Sequence, residues 1–395
     1  MLVILSTHPI QYQTPIWKAL ALDGRVPFEV WYLTNFGVES SHDREFGEKF
    51  RWDIDTLSGY PHRFLTSEPD AVPTNFWKCR ATESLKHRLS QSRATAIWIQ
   101  GWQVLGYWQA AWAGKAVGAE VWLRAESNDL AATPYWKRMI KRPVLGQLFS
   151  RVDRFLCIGS ANRRLYQAYG IPEIRLVAAP YAVDNDRFAD QANALRGDRT
   201  RIRREWGIAD DAFCPLFCGK FIAKKRPLDM VRAAQALRVD GRLPDIHLLF
   251  VGTGELENEL HKACDVVGVR AAPVRDGCAE RPRATFAGFL NQTQISRAYV
   301  AADCLDLPSD HGETWGLVVN EAMASGLPCV VSRACGCSED LVGEGLSFPL
   351  GDVGALADHL EALSQGAVYG ELRPLPTVTD TVRAVVTAYG NALRQ

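Results

Sequence analysis

At 395 residues the chain exceeds what one hydrophobic core usually supports, so two domains of comparable size are expected. With 47% hydrophobic and 23% charged residues it lies outside the disordered range. Lys plus Arg and Asp plus Glu are 45 each, which excludes a global attraction to nucleic acid or an anionic surface; any anion site must be local.

The opening run Met1-Leu2-Val3-Ile4-Leu5-Ser6 has no positively charged flank, and Thr7-His8-Pro9 cuts it short, so it reads as a first buried strand rather than a signal peptide. Short apolar runs then alternate with longer amphipathic segments, the pattern of an α/β fold with parallel sheets and crossover helices. Strands are expected near 2–6, 28–34, 95–100, 119–125, 153–158 and 174–179, with the clearest helices at 76–90, 104–117 and 160–169. The segment 134–142 carries cations and aromatics without an acid, and Pro143 should end it within about three turns; it reads as a basic surface helix or one lying on a membrane surface.

Composition turns polar and charged across 185–212, which suggests a linker over 191–212. A second series follows, with strands near 213–219, 246–252, 283–287, 303–307, 328–332 and 346–349. Its helices are expected at 227–238, 255–266, 292–301, 316–325 and 352–364. Two Rossmann-like domains, 1–190 and 213–379, are the economical architecture, with a terminal helix in 380–395 rejoining the first. No run approaches the roughly 18 apolar residues that span a bilayer. Ten scattered cysteines suit reduced core thiols and a cytoplasmic compartment. Cys335-Gly336-Cys337 is too short and isolated for zinc and reads as two incidental thiols, and no other metal cluster stands out.

The chemistry concentrates in Pro308-Ser309-Asp310-His311-Gly312-Glu313-Thr314-Trp315-Gly316-Leu317-Val318-Val319-Asn320-Glu321, a loop that follows a predicted strand and opens a helix. In open α/β sheets ligands bind beyond the strand C-termini, and the free amides of a helix start suit a phosphate over residues 315–318. Glu313 and Glu321 stand eight residues apart. Beside a phosphate-loaded helix start Glu313 can reach a group attached beyond the phosphate, and Glu321 can accept from a ribose; the bland alternative is helix-dipole stabilisation and a solvated carboxylate. Cys218-Gly219-Lys220-Phe221-Ile222-Ala223-Lys224-Lys225-Arg226 gathers four cations at a second strand end, either a solvated loop or a diphosphate site.

The first of these segments, with the following Ala322-Met323-Ala324-Ser325-Gly326-Leu327-Pro328, resembles the E-x7-E motif of the retaining GT-B glycosyltransferases of glycosyltransferase family 4. The resemblance implies that Glu313 contacts donor-sugar hydroxyls, that Glu321 binds the nucleotide ribose, and that the amides of Thr314, Trp315, Gly316 and Leu317 take the donor phosphate. The cationic segment is similar to the family's G-R-L-x-x-x-K element: Gly219 matches its glycine, Lys225 matches its lysine, and Lys220 stands where the family usually has Arg, losing the bidentate fork but keeping the charge. Weaker matches follow in the family's order. They are Val251-Gly252-Thr253-Gly254, Phe286-Ala287-Gly288-Phe289-Leu290 with Tyr299, Ala302 and Asp303, and Pro180 to Phe188; in the family the backbone around Phe289 and Leu290 lies beside the nucleobase.

The first half departs from the pattern. Thr7-His8-Pro9 occupies a loop where many members have a glycine-rich turn, so the phosphates would rest mainly on the second domain. Gln100 stands where relatives often have a histidine and cannot act as a base; His8 is a substitute for it or a loop histidine. Arg124 ends the next strand, as an acceptor-side residue or half of a structural ion pair.

The resemblance thus implies a GT-B fold, two Rossmann-like domains facing each other across a cleft. It implies transfer with retention from a nucleoside-diphosphate sugar to a hydroxyl acceptor, whether carbohydrate, lipid-linked or small molecule. No covalent nucleophile, metal or nucleic acid is expected, and residues 134–142 offer a candidate peripheral contact with the inner face of a membrane. The alternatives are a catalytically silent sugar-nucleotide-binding subunit, an inverting transferase or a nucleotide-sugar epimerase.

Overall fold

The computed structural model describes residues 1–38, 41–42, 49–50, 52–68, 71–130, 135–267, 282–367 and 374–394. The chain divides into two compact units. One comprises Met1–Ser41, Lys49–Val183 and Pro376–Gln395, the other His42–Glu48 and Asp184–Leu375.

The first unit holds a parallel sheet of β1 (Leu2–Ser6), β2 (Phe28–Tyr32), β3 (His62–Phe64), β4 (Ala96–Ile99), β5 (Glu120–Leu123), β6 (Arg154–Cys157) and β7 (Leu176–Ala178), in the order β3-β2-β1-β4-β5-β6-β7. Its apolar runs are continuous because both faces are covered. Val3, Leu5, Ile99 and Leu123 pack into one layer, and Leu2, Ile4, Trp98 and Trp122 into the other. The terminal helix Val378–Ala392 closes that second layer with Val382, Val385, Ala388 and Tyr389. It begins with a capping box between Thr377 and Asp380.

Two expectations for this unit need correction, and one strand is added to them. The helix expected at 76–90 spans only Leu85–Gln91. The Asn75 side chain accepts from the amides of Trp77 and Lys78, an Asx turn that competes with helix, and Ser84 then caps the true start. Strand β3 was not foreseen, since it is three residues long and none of them is fully buried. The helix Tyr135–Phe149 runs through Pro143. The bond lost to Pro143 falls on a stretch where Met139 and Ile140 are exposed to water, while Leu145, Leu148 and Phe149 anchor the following turns. Pro134, also part of that reading, lies outside the described residues.

The second unit repeats the plan with β8 (Pro215–Cys218), β9 (His247–Val251), β10 (Asp265–Val266), β11 (Arg283–Gly288), β12 (Cys304–Leu307), β13 (Cys329–Ser332) and β14 (Ser347–Phe348), in the order β10-β11-β9-β8-β12-β13-β14. The helix expected at 255–266 stops at Ala263, because Asp265 and Val266 pair with Arg283 and Ala284 as an edge strand. The polar stretch read as a linker holds the helices Asn185–Leu195 and Arg199–Glu205. Arg199 and Arg203 bond Asp303 at 2.6 and 3.3 Å, just ahead of β12. In each sheet the strand order reverses beside the unit's first strand, at β1/β4 and at β8/β12, which marks the crevice where such sheets bind ligands. Among the described residues no helix is long and apolar enough to cross a membrane, and nine cysteines are free.

His247 on β9 is buried and shares a 2.9 Å hydrogen bond with the Thr285 hydroxyl. Burial, aided by Arg203 and Arg283, pulls its pKa from 6.5 to about 4. The folded chain therefore keeps this imidazole neutral while the unfolded chain protonates it. Stability should fall as pH drops from 6.5 towards 4, by up to about 3 kcal/mol from this group. Urea midpoints at pH 7 and 4.5 should differ less in His247→Gln than in the unsubstituted chain; an equal difference would contradict this account.

Candidate active site

The carboxyl ends of β8 and β12 converge. After β8 the chain turns through Gly219 at φ +151°, and glycines from the neighbouring strand ends let the backbones approach. A side chain at Gly254 would come within 2.5 Å of the Phe221 carbonyl. Phe221 N–H donates to the Thr253 carbonyl at 2.9 Å, and Gly252 N–H to that of Gly288 at 2.9 Å, so three loops lock together. The lysines ride on this platform: Lys224 is exposed, and Lys220 and Lys225 are half-buried.

The loop after β12 is tied to the same platform by Asp310 N–H donating to the Lys224 carbonyl at 2.8 Å. That bond carries Glu313 to Lys225, whose ammonium donates to the Glu313 carboxylate. The Cys335–Cys337 turn braces the loop from behind. Gly336 N–H donates to the Glu313 carbonyl at 3.2 Å and Cys337 N–H to that of Trp315 at 3.1 Å. The two thiols read as incidental are thus buried parts of this support.

Gly316, at φ +106°, starts the helix Leu317–Ala324, which has no side-chain cap. This helix start lies beside Glu313, and without a side-chain cap it is the kind of terminus that favours an anion. Trp315 is buried, with its indole N–H donating to Asn320 at 2.8 Å, so it acts on the loop through its backbone and packing. Glu321, inside the helix and 3% exposed, accepts from the Tyr299 hydroxyl, a partner that sequence order alone suggested only weakly. The Cys218 thiol links the two carboxylate neighbourhoods. Burial pushes its pKa up to about 12, with Glu321 raising it further and Lys225 opposing.

Lys225, Glu313, Glu321, Gly219 and Gly316 therefore gather around two adjacent strand ends. Thr314 and Leu317 flank the helix start, and Phe289 and Leu290 follow β11, all partly buried. His8, Gln100 and Arg124 belong to the first unit, just beyond β1, β4 and β5. His8 bonds the Thr7 hydroxyl at 2.9 Å, and burial pulls its pKa to about 4, so it is neutral at physiological pH.

Residues 214–365 match the family model described as glycosyl transferases group 1. The chain is 32% identical over 225 residues to a D-inositol 3-phosphate glycosyltransferase of Geodermatophilus obscurus, covering 55% of this chain and 46% of that one. It spans about half the length of the curated relatives it matches. The solved structure of Anabaena HepE in complex with UDP and glucose superposes with a TM-score of 0.63 at 14% identity, covering 98% of this chain and 99% of that one. A glycosyltransferase from Rickettsia africae gives 0.68 at 13% identity, covering 100% and 99%. These likenesses show the fold: two parallel-sheet α/β units of the GT-B type.

A methyl group on Gly316 would meet Leu307 at 2.7 Å and the Cys337 sulfur at 3.3 Å in a backbone region that side chains avoid. Gly316→Ala should cost about 1–3 kcal/mol of stability and displace the helix start from Glu313. Urea unfolding checks it, and a variant as stable as the unsubstituted chain would show that this turn is not constrained.

Proposed function

We propose that the chain transfers a sugar, with retention of anomeric configuration, from a nucleoside-diphosphate sugar to a hydroxyl acceptor. The observation that carries the reading is the Lys225–Glu313 contact at the mouth of β8 and β12, beside an uncapped helix start. HepE was solved with UDP and glucose, and the relative's name specifies D-inositol 3-phosphate glycosyl transfer; both support a nucleotide-sugar donor for this chain.

In the reaction the bond from the anomeric carbon to the diphosphate breaks, and a bond to the acceptor oxygen forms on the same face. The acceptor proton passes to the departing phosphate oxygen. The leaving dianion is met by Lys225, Lys220 and the amides of Thr314 to Leu317, with the backbone near Gly219, Phe289 and Leu290 lining the nucleotide. Lys225 exchanges one anionic partner, Glu313, for another, the phosphate. Glu313 is thereby released to the sugar hydroxyls, and Glu321 takes the ribose. Since cations and amides hold the diphosphate, the reading requires no divalent ion. Exposed Trp136, Met139, Ile140 and Val144 on the helix Tyr135–Phe149 support a peripheral membrane contact at the cytoplasmic face.

A second reading, a silent sugar-nucleotide-binding subunit, is favoured by Gln100 standing where a proton acceptor would serve. Release of nucleoside diphosphate from donor by the purified chain, through transfer or hydrolysis, separates the two.

Glu313→Gln should nearly abolish transfer while leaving nucleoside diphosphate affinity within a few fold, because this residue meets the sugar. Glu321→Ala should weaken the bare nucleotide by about 1–3 kcal/mol. Steady-state kinetics and calorimetry over a panel of nucleotide sugars check both; an active Glu313→Gln enzyme, or unchanged nucleotide affinity in Glu321→Ala, would sink the assigned role.

A further inference from the structure

The last paired rung across three strands of the first unit is Leu5–Ile99–Leu123. The next residues along are Ser6, Gln100 and Arg124, and Arg124 N–H donates to the Ile99 carbonyl at 3.0 Å, so the alignment continues. Side chains alternate along a strand, which sets these three on one face at roughly 4.8 Å spacing.

The row is short of acceptors. Ser6 donates to Gln13 at 3.3 Å, and Gln13 donates to the Gln100 carbonyl oxygen at 3.4 Å, which leaves the Gln100 NH2 directed elsewhere. That nitrogen is buried and has no hydrogen-bond partner among the described residues. Arg124 is 1% exposed, and its Nε and both Nη atoms also lack an acceptor among the described residues. The Tyr181 ring lies 4.6 Å from the guanidinium carbon, and the Tyr181 hydroxyl is engaged with the exposed Glu126, whose charge acts on Arg124 without a hydrogen bond among the described residues. Burial pulls the Arg124 pKa below its usual value. A buried cation without a hydrogen-bond acceptor is among the costliest arrangements in a protein, and a neighbouring amide donor in the same condition adds to the demand for one. What satisfies both is one group with several anionic oxygens, which a guanidinium fork grips bidentately while an amide takes a third contact.

We propose that Arg124 and Gln100 hold a phosphate or carboxylate carried by the acceptor, so that the acceptor class is a negatively charged hydroxyl compound. This rests on the glycosyl-transfer reading. The acceptor rather than the donor sugar is assigned because both residues belong to the first unit, while the diphosphate-binding groups belong to the second.

The test is calorimetric binding of glucose 6-phosphate, glucuronate and glucose to the full chain saturated with whichever nucleoside diphosphate binds. It uses the unsubstituted chain, Arg124→Met and Gln100→Glu. At least one anionic probe should bind the unsubstituted chain at least about tenfold tighter than glucose, and Arg124→Met should weaken it by a similar factor. Gln100→Glu supplies an internal carboxylate, so it should raise the melting temperature and abolish anion binding. Nucleotide affinity should be the same in all three. The inference is overturned if glucose binds as well as both anionic probes, if neither anion binds, if Arg124→Met leaves anion affinity unchanged, or if Gln100→Glu lowers the melting temperature and still binds anion. It is also overturned if Arg124→Met selectively weakens a nucleotide-glucuronate donor and spares the free anions. Failure of every nucleoside diphosphate to bind would instead remove the glycosyl-transfer reading, and the anion arms repeated without nucleotide would still decide whether Arg124 binds them.

Discussion

A lysine and a glutamate 88 residues apart in the chain, Lys225 and Glu313, are held against each other, and the rest of the second unit is arranged so that they can meet. The contact needs β8 and β12 to be neighbours, which follows from the reversal of strand order beside β8. It needs glycines at 252 and 254, where a side chain would meet the backbone of Gly219 and Phe221, and at 219, where φ is +151°. It also needs the Asp310–Lys224 bond and the brace from the Cys335–Cys337 turn. A half-buried ion pair adds little net stability, yet losing one member leaves the other charge uncompensated. Such a pair is well suited to exchanging partners, since a phosphate brought to it would replace one anion by another around the same ammonium.

The two units manage buried polarity differently. In the second, cations at one strand end are matched by carboxylates at the next, and Glu321 has its Tyr299 donor. In the first, the row Ser6, Gln100 and Arg124 is rich in donors, with the Tyr181 ring beside the Arg124 guanidinium and the Glu126 charge acting on it through space. Gln100 belongs with that difference: an amide takes up no proton and contributes a donor.

Much of the fold was legible because continuous apolar runs mark strands buried on both faces, and the helices between them carry the 3.6 period. The failures are local and physical. Phe76 and Trp77 look helical in pattern, but Asn75 captures the amides that would begin a helix. Pro143 breaks a bond that exposed backbone can give up. Val266 was taken by a sheet edge, a choice made by partners distant in sequence. Glu313, Lys225 and Glu321 could be singled out from the sequence because they stand at strand-to-helix junctions, and the structure brings Lys225 and Glu313 into contact there. The Cys335–Cys337 brace and the lack of acceptors for Arg124 among the described residues could not, since both exist only once separate strands stand side by side.

The account stands or falls on leaving-group stabilisation by Lys225. A diphosphate gains negative charge as the glycosidic bond breaks, so a cation aimed at it should stabilise the transition state more than the bound donor. Steady-state kinetics of Lys225→Ala, with Lys220→Arg as the companion that keeps its charge, measure this directly. Lys225→Ala should lower kcat as well as raise donor KM, with a loss of order 10²-fold or more in kcat/KM, while Lys220→Arg stays largely active. A Lys225→Ala enzyme with unchanged kcat and only a raised KM would make the lysine a uniform binding contact and contradict the mechanism.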